Sequence, residues 1–409
     1  MDWNDSDEQG RFRSEVRTFL GERLPERYRR IASGEDDSGG EGGGWQNDRV
    51  ADDPAAREAA LAWSGALGEK RWAAPAWPKE YGGAGLSPFE QFIFNQEMAR
   101  AGAPGLNGQG LGMLGPMLIV HGSDEQKKEH LPKMLTGEVV WAQGYSEPGS
   151  GSDLAALQTR AVRDGDEYVV NGQKIWTSGA HTADWLFALV RTDPDAPKHR
   201  GISFLMMDRR TPGISVRPLI NMGWEHGFNE TFFEDVRVPM SNRVGEENRG
   251  WYVGMTLLDF ERSNISNSEG ARRSITRLCD FVRSDDGRAV SRLAELPALR
   301  HQIADRYVEV EVQFQFSFRI ISLQGRGMVP NHEASVAKLF NSEFSQRLAN
   351  TGVKTFGLYG NLWARDARSP MRAAFTRQYV SSVASTIGGG TSEIQRNVIA
   401  TRGLGLPRG

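Results

Sequence analysis

The feature that most constrains this chain is a change of texture part-way along it. Between about residues 137 and 248, short strand-like runs follow one another with no helical pattern between them. They are Tyr168–Val170, Trp185–Val190, Gly201–Met207, Ile214–Leu219 and Thr231–Val238, separated by Asp-Pro and Thr-Pro-Gly breakers. Strands spaced this closely predict an antiparallel barrel or sandwich rather than a doubly wound sheet. Asp164-Gly165 reads as one turn. Asn171-Gly172 reads as a type I′ hairpin turn, whose two central positions need positive φ.

The flanking blocks, 1–136 and 249–409, read as helices, so the fold class is α+β, mostly α, with 137–248 as a central antiparallel β-domain. A chain of 409 residues is long enough for two or three domains. Ser123 and Gln126 form a capping box, opening an amphipathic helix that the sequence predicts to break near Pro132. Residues 33–53, rich in Gly and acid, predict a flexible loop. Tyr307–Ile320 alternates apolar and polar residues like a strand. A strand of about 14 residues would far exceed the usual length, so the segment is assigned to a helix.

Composition removes several function classes. Lys plus Arg total 49 against 52 Asp plus Glu, and a net charge of -3 offers no general pull towards nucleic acid or an anionic membrane. The lone cysteine, Cys279, excludes an internal disulfide and an all-cysteine metal site. The acidic start MDWNDSDEQG lacks the basic and apolar regions of a secretory signal, and no apolar run approaches a membrane span. The expectation is a cytoplasmic protein of a reducing compartment.

Two segments carry chemistry. In Trp141-Ala-Gln-Gly-Tyr-Ser-Glu-Pro-Gly-Ser-Gly-Ser-Asp153, small residues allow close approach of a flat or charged ligand, and the hydroxyls of Ser146 and Ser152 offer donors. Lys174-Ile-Trp-Thr-Ser178 then places an aromatic plane beside two more hydroxyls. With KHRGISFLMMDRRTPGISVRPL, FNETFFEDVRVP and Gly388-Gly-Gly-Thr-Ser-Glu-Ile-Gln-Arg396, these ordered motifs resemble the acyl-CoA dehydrogenase family over most of the chain.

That resemblance implies a helical N-terminal domain (1–136), a central β-domain (137–248) and a C-terminal four-helix bundle (249–409), with non-covalent FAD between the last two. It implies a homotetramer or homodimer that passes electrons to an electron-transferring flavoprotein, with no nucleic acid, membrane or metal as partner. Tyr145, Ser146 and Ser152 match the loop that meets flavin or the thioester. Trp176, Thr177 and Ser178 match the segment against the isoalloxazine ring. Thr391 and Glu393 match cofactor contacts and Gly390 a substrate contact. Ser392 with Gln395 also reads as a capping box.

The family reaction removes the α-proton of an acyl-CoA thioester and passes the β-hydrogen to flavin as hydride, which requires a carboxylate base in a dry site. Many members carry that base as a Glu just before the Gly-Thr of the C-terminal turn, where this chain has Gly389. A second arrangement places it on a helix opening the C-terminal domain and followed by Arg. Leu257-Leu-Asp-Phe-Glu261-Arg262 matches that arrangement. At 100° per residue Glu261 shares a face with Gly254, Leu257 and Leu258, whereas Asp259 points about 200° away. A carboxylate on an apolar stripe is desolvated and becomes a better base. Arg262 and Asp259 match positions that contact the CoA substrate, Arg262 through several fixed donors.

The chain also departs from the family. No counterpart of the Arg-x-x-Phe-Gly element stands around Cys279–Arg292. Lys354-Thr-Phe-Gly-Leu-Tyr-Gly360 has Lys where many relatives have Gln. Two alternatives accompany the dehydrogenase reading: a flavin-dependent oxidase or monooxygenase on the same fold, and, motivated by Gly389, a non-catalytic subunit of a mixed oligomer. A base on the helix is found in relatives handling branched, long or ring-bearing acyl groups. Gly108–Met113 reads either as an acyl-pocket lining or as a helix-packing stretch.

Overall fold

The computed structural model describes residues 4–35, 44–261 and 267–407, without the side chains of 256–267. The chain divides into two compact units, one of Met1–Asp37, Ser87–Ala103 and Arg262–Gly409, the other of Ser38–Leu86 and Pro104–Glu261.

In the first unit, four helices build the bundle: Asn267–Arg283, Ala298–Gln324, His332–Phe356 and Ala374–Ser385. Their shared core holds Ile275, Leu278, Val310, Phe314, Phe344, Leu348, Phe356 and Phe375. The alternating segment Tyr307–Ile320 is helical, as assigned. Its buried residues Val310, Phe314 and Ser317, continued by Ile321 just beyond it, recur at helical spacing, while Tyr307, Val308 and Val312 stay exposed. Asp7–Arg23 and Pro88–Ala101 belong to the same unit and are joined by a buried acid. Glu97 is 2% exposed and accepts from Arg13 at 2.7 Å, Arg17 at 2.8 Å and Arg100 at 3.3 Å.

The second unit is built on a sheet of β1 (Trp141–Gly144), β2 (Arg160–Asp164), β3 (Glu167–Lys174), β4 (Trp185–Arg191), β5 (Ile202–Asp208), β6 (Ile214–Leu219), β7 (Phe228–Pro239) and β8 (Arg243–Val244). The order is β6-β7-β3-β2-β4-β5-β8, with β1 pairing to β4. Five of the ladders are antiparallel; β1 and β2 each meet β4 in parallel. β4 and β5 are buried along nearly their whole length, as strands covered on both faces must be. β6 forms the edge, which tolerates the missing N–H of Pro218.

Three local expectations change. Asn171-Gly172 is not a turn: β3 runs through it as a bulge, with Gly172 at φ 147°. A Cβ on Gly172 would stand 2.7 Å from the Thr159 Cα, and the Asn171 side chain bonds Asp235 across the sheet at 3.0 and 2.9 Å. The hairpin turn falls instead at Asp164-Gly165, where Gly165 has φ 61°. The helix capped by Ser123 and Gln126 continues through Pro132 to Thr136, held by burial of His130, Leu131 and Met134. The 33–53 segment is not loop throughout. Trp45–Asp48 is a short helix, and the buried Trp45 indole donates to the Ala60 carbonyl at 2.8 Å. An indole ring buries enough apolar area to order a polar stretch; residues 36–43 lie outside the described part.

Candidate functional site

The site is built outward from β1. One edge of this strand pairs with β4; side-chain amides serve the backbone groups left over. Asn107 accepts from the Trp141 N–H at 3.1 Å and donates to the Trp141 carbonyl at 3.0 Å, and Gln109 accepts from the Gln143 N–H at 3.1 Å. The amides thus do the work of a neighbouring strand and fix where the following loop begins. Tyr145 opens that loop with its ring buried edge-on against Phe187 and Phe204.

The loop is then tied to the end of β3 by a sealed ion pair. Lys174 Nζ donates to Glu147 Oε1 at 2.8 Å and to the Tyr145 carbonyl at 3.1 Å, with the Lys174 side chain fully buried. Glu147 also accepts from the backbone N–H groups of Gln158, at 2.5 Å, and Thr159, at 2.8 Å. Burial pushes the Lys174 ammonium down to about 8, so it stays charged at neutral pH. Burial works to raise the Glu147 carboxyl, but the ammonium beside it and its N–H donors hold it below the usual value. The Ile175 N–H donates to the Ser146 carbonyl at 2.9 Å, so the two sequence motifs run side by side.

Past that junction the strap 176–178 presents an aromatic face. Trp176 is 59% exposed and sits at φ 60°, a left-handed conformation uncommon for a bulky residue. Thr177 is buried, its N–H donating to the Asn229 carbonyl at 3.0 Å and its carbonyl accepting from Asn229 Nδ2 at 3.0 Å. Among the described residues the hydroxyls of Ser146, Ser152 and Ser178 have no side-chain hydrogen-bond partner. A half-exposed indole plane beside uncommitted hydroxyl donors fits a flat heteroaromatic ring with acceptors along its edge, and so fits a flavin.

The helix Gly250–Glu261 lies in the same unit and packs on β5 and on the π-helix Gly110–Leu114. Gly254 permits the approach: a Cβ there would stand 3.2 Å from Tyr145 Oη and 3.3 Å from Leu189. Asp259 and Glu261 belong to this helix, but their side chains lie outside the described part, and Arg262 lies outside the described residues altogether. Gly108–Met113 turns into the π-helix, with Gly110 and Leu111 buried.

The C-terminal motif belongs to the bundle unit. Gly389 and Gly390 take φ 64° and 88°, conformations that suit glycine. The helix Ser392–Val398 is capped by Thr391, whose side chain accepts from the Ile394 N–H, and not by a Ser392–Gln395 box. Gln395 instead turns back to donate to the carbonyls of Gly389 at 3.0 Å and Gly390 at 3.3 Å. Lys338 also donates to the Gly390 carbonyl at 2.6 Å, and Glu393 is exposed. Tyr145, Ser146, Ser152, Trp176, Thr177 and Ser178 thus share one unit, and Gly390, Thr391 and Glu393 the other. Sequence reasoning missed Asn107, Gln109, Glu147 and Asn229. Each acts on a backbone group far away in sequence, and no local pattern announces such a bond.

Comparison with known proteins bears on this arrangement directly. The middle domain of acyl-CoA dehydrogenases matches residues 142–236, the C-terminal domain 248–404 and the N-terminal domain 47–138. The chain belongs to the acyl-CoA dehydrogenase family, whose members are flavoproteins and oxidoreductases. It is 36% identical over 349 residues to acyl-CoA dehydrogenase FadE26 of Mycobacterium tuberculosis, covering 84% of this chain and 86% of that one. With FadE29 of the same organism it shares 38% over 332 residues, 81% and 84% of the two chains. Two solved structures superpose over the full length of both chains: the Tcur3481-Tcur3483 steroid ACAD, TM-score 0.84 at 34% identity, and the ChsE4-ChsE5 complex from Mycobacterium tuberculosis, TM-score 0.81 at 33%. Among the described residues no helix is long and apolar enough to cross a membrane, and no cluster of three or more His, Cys, Asp or Glu could hold a metal ion.

Proposed function

We propose that the chain is an FAD-dependent acyl-CoA dehydrogenase that converts a saturated acyl-CoA to its 2,3-enoyl-CoA, with Glu261 as base. The observation that carries this reading is the seating of the helix Gly250–Glu261. Through Gly254 it approaches the Tyr145 loop, and Glu261 follows Gly254 by seven residues, two turns along the same stripe. The other family position for a base, Gly389, has a backbone conformation suited to glycine.

On this reading Tyr145, Ser146 and Ser152 hold the flavin and thioester end, and Trp176, Thr177 and Ser178 pack against and hydrogen-bond the ring. Thr391 and Glu393 reach the cofactor from the C-terminal turn. Asp259, Arg262 and Gly390 hold the CoA substrate. FAD, when bound, accepts the β-hydrogen as hydride and later passes its electrons to an electron-transferring flavoprotein. Glu261 removes the α-proton, helped by a dry apolar surround that strengthens it as a base. Relatives bearing the description steroid ACAD point to a bulky, ring-bearing acyl group.

A second reading makes the chain one component of a two-component enzyme. Lys354 in place of Gln and the missing Arg-x-x-Phe-Gly element favour it, and two similar structures carry two-component names. Anaerobic titration of the purified flavoprotein with straight, branched and steroid-bearing acyl-CoAs tests the proposal. Flavin bleaching by one of these, with formation of its enoyl-CoA, supports dehydrogenation. Hydrogen peroxide or a hydroxylated product under air would assign the chain to the oxidases or monooxygenases. A chain that takes up flavin only together with a second polypeptide would establish the two-component form.

A further inference from the structure

We propose that Asn229 is the positioning residue of the Trp176–Ser178 strap, and that two stacked histidines, His181 and His226, lock its amide in the one orientation that holds the strap. This rests on the reading of the strap as the flavin contact.

Asn229 is fully buried at the start of β7. It grips Thr177 from both sides, its carbonyl accepting from the Thr177 N–H and its Nδ2 donating to the Thr177 carbonyl, each at 3.0 Å. The Thr177 carbonyl can only accept, so the amide nitrogen must face it, which settles which end of the Asn229 side chain is which. Two consequences follow. The second N–H of Asn229 meets His181 Nδ1 at 3.1 Å, which must therefore carry a lone pair. The Asn229 Oδ1 meets His226 Nε2 at 2.8 Å, which must therefore carry a proton. The two rings stack at 3.9 Å between centroids and 23° between planes, and two imidazolium rings would repel at that separation. His181 is the ring that must be neutral, with its proton on Nε2.

Protonating His181 would set an N–H against an N–H of Asn229 and push the amide off Thr177. Both rings line a cleft of about 280 Å³ with Gln46, Pro104 and Gly105, so protons from solvent reach them. Burial, and then the closeness of the His226 ring, lower the His181 pKa below the ordinary value of 6.5; the hydrogen bond with Asn229 acts the other way and Arg209 adds to the lowering. Arg49, which bonds the Thr182 carbonyl, is balanced by Asp184 at 2.9 Å. Glu225, beside His226, accepts from the Asn221 amide. The strap therefore holds at neutral pH and loosens when acid charges His181.

The test uses the flavin-loaded protein labelled with 15N-histidine. At pH 7, long-range 1H–15N spectra should show His181 with an unprotonated Nδ1 and a protonated Nε2; a proton on His181 Nδ1 at that pH overturns the proposal. In parallel, FAD affinity should fall at least tenfold in Asn229→Leu, with a shifted visible flavin band. It should weaken in the wild type as pH is lowered below the ordinary imidazole value of 6.5, and that pH dependence should flatten in His181→Asn, which keeps an acceptor near the Nδ1 position. If Asn229→Leu does not fold, the wild-type spectra and the His181→Asn profile decide. FAD affinity and spectrum unchanged in a folded Asn229→Leu would overturn the positioning role. The flavin reading fails separately, if the wild-type chain takes up no FAD at all.

Discussion

Lys174 Nζ donates to Glu147 Oε1 at 2.8 Å, with the lysine side chain fully shielded from solvent and the glutamate nearly so. The pair joins the loop after β1 to the strap after β3, and the same ammonium holds the Tyr145 carbonyl. Removing one member of a buried pair leaves the other charge uncompensated. Lys174→Met is expected to cost roughly 3–5 kcal/mol, a large share of the stability of an ordinary domain. The urea midpoint of the variant checks this; a loss below about 1 kcal/mol would mean that Glu147 is satisfied by its backbone donors alone.

Glu97 gives a pH dependence. Although burial opposes ionisation, its hydrogen bonds to Arg17 and Arg13 and the nearby Arg100 hold its pKa below the ordinary 4.5. A folded pKa below the unfolded one means that the native state binds fewer protons. Its contribution is then complete above pH 4.5 and is lost as pH falls through the folded value. Urea midpoints should drop as pH is lowered from 5 towards 3. Glu97→Gln should be roughly 1.5–3 kcal/mol less stable at pH 7 and lose less on acidification than the wild type. An unaltered acid slope in the variant would remove Glu97 from that role.

The glycine turn before the last helices resists side chains. A Cβ on Gly390, at φ 88°, would stand 2.7 Å from Gln395 Nε2, and Gly389 is at φ 64°. Gly390→Ala should lose at least about 1 kcal/mol, the cost of a left-handed conformation alone. By the same strain, moving the base in a Glu261→Gly, Gly389→Glu double variant should restore little turnover. Thermal denaturation checks the first expectation and steady-state rates the second.

Much of the fold was legible because its signals are local. The strand runs of β4 to β7 and the Asp164-Gly165 turn lie where their patterns put them, and the length of the run, too great for a strand, outweighed the false alternation of Tyr307–Ile320. Asn171-Gly172 misled because the bulge here, like a type I′ turn, places Gly172 at positive φ; only the pairing of β3 with β7 separates them. Pro132 misled because burial of its neighbours outweighs one lost hydrogen bond. The candidate loop and strap residues were picked out by the order of their motifs in the sequence. Their supports were not. Glu147 meets Lys174 across 27 residues and Asn229 meets Thr177 across 52, so those contacts exist only once the sheet has formed.

Position 261 carries the central claim, and one variant addresses it. Glu261→Gln, purified with its flavin, should show an unshifted visible spectrum and bind the substrate acyl-CoA, yet fail to bleach anaerobically over times in which the wild type bleaches fully. Flavin reduction at the wild-type rate in that variant would place the base elsewhere and contradict the account.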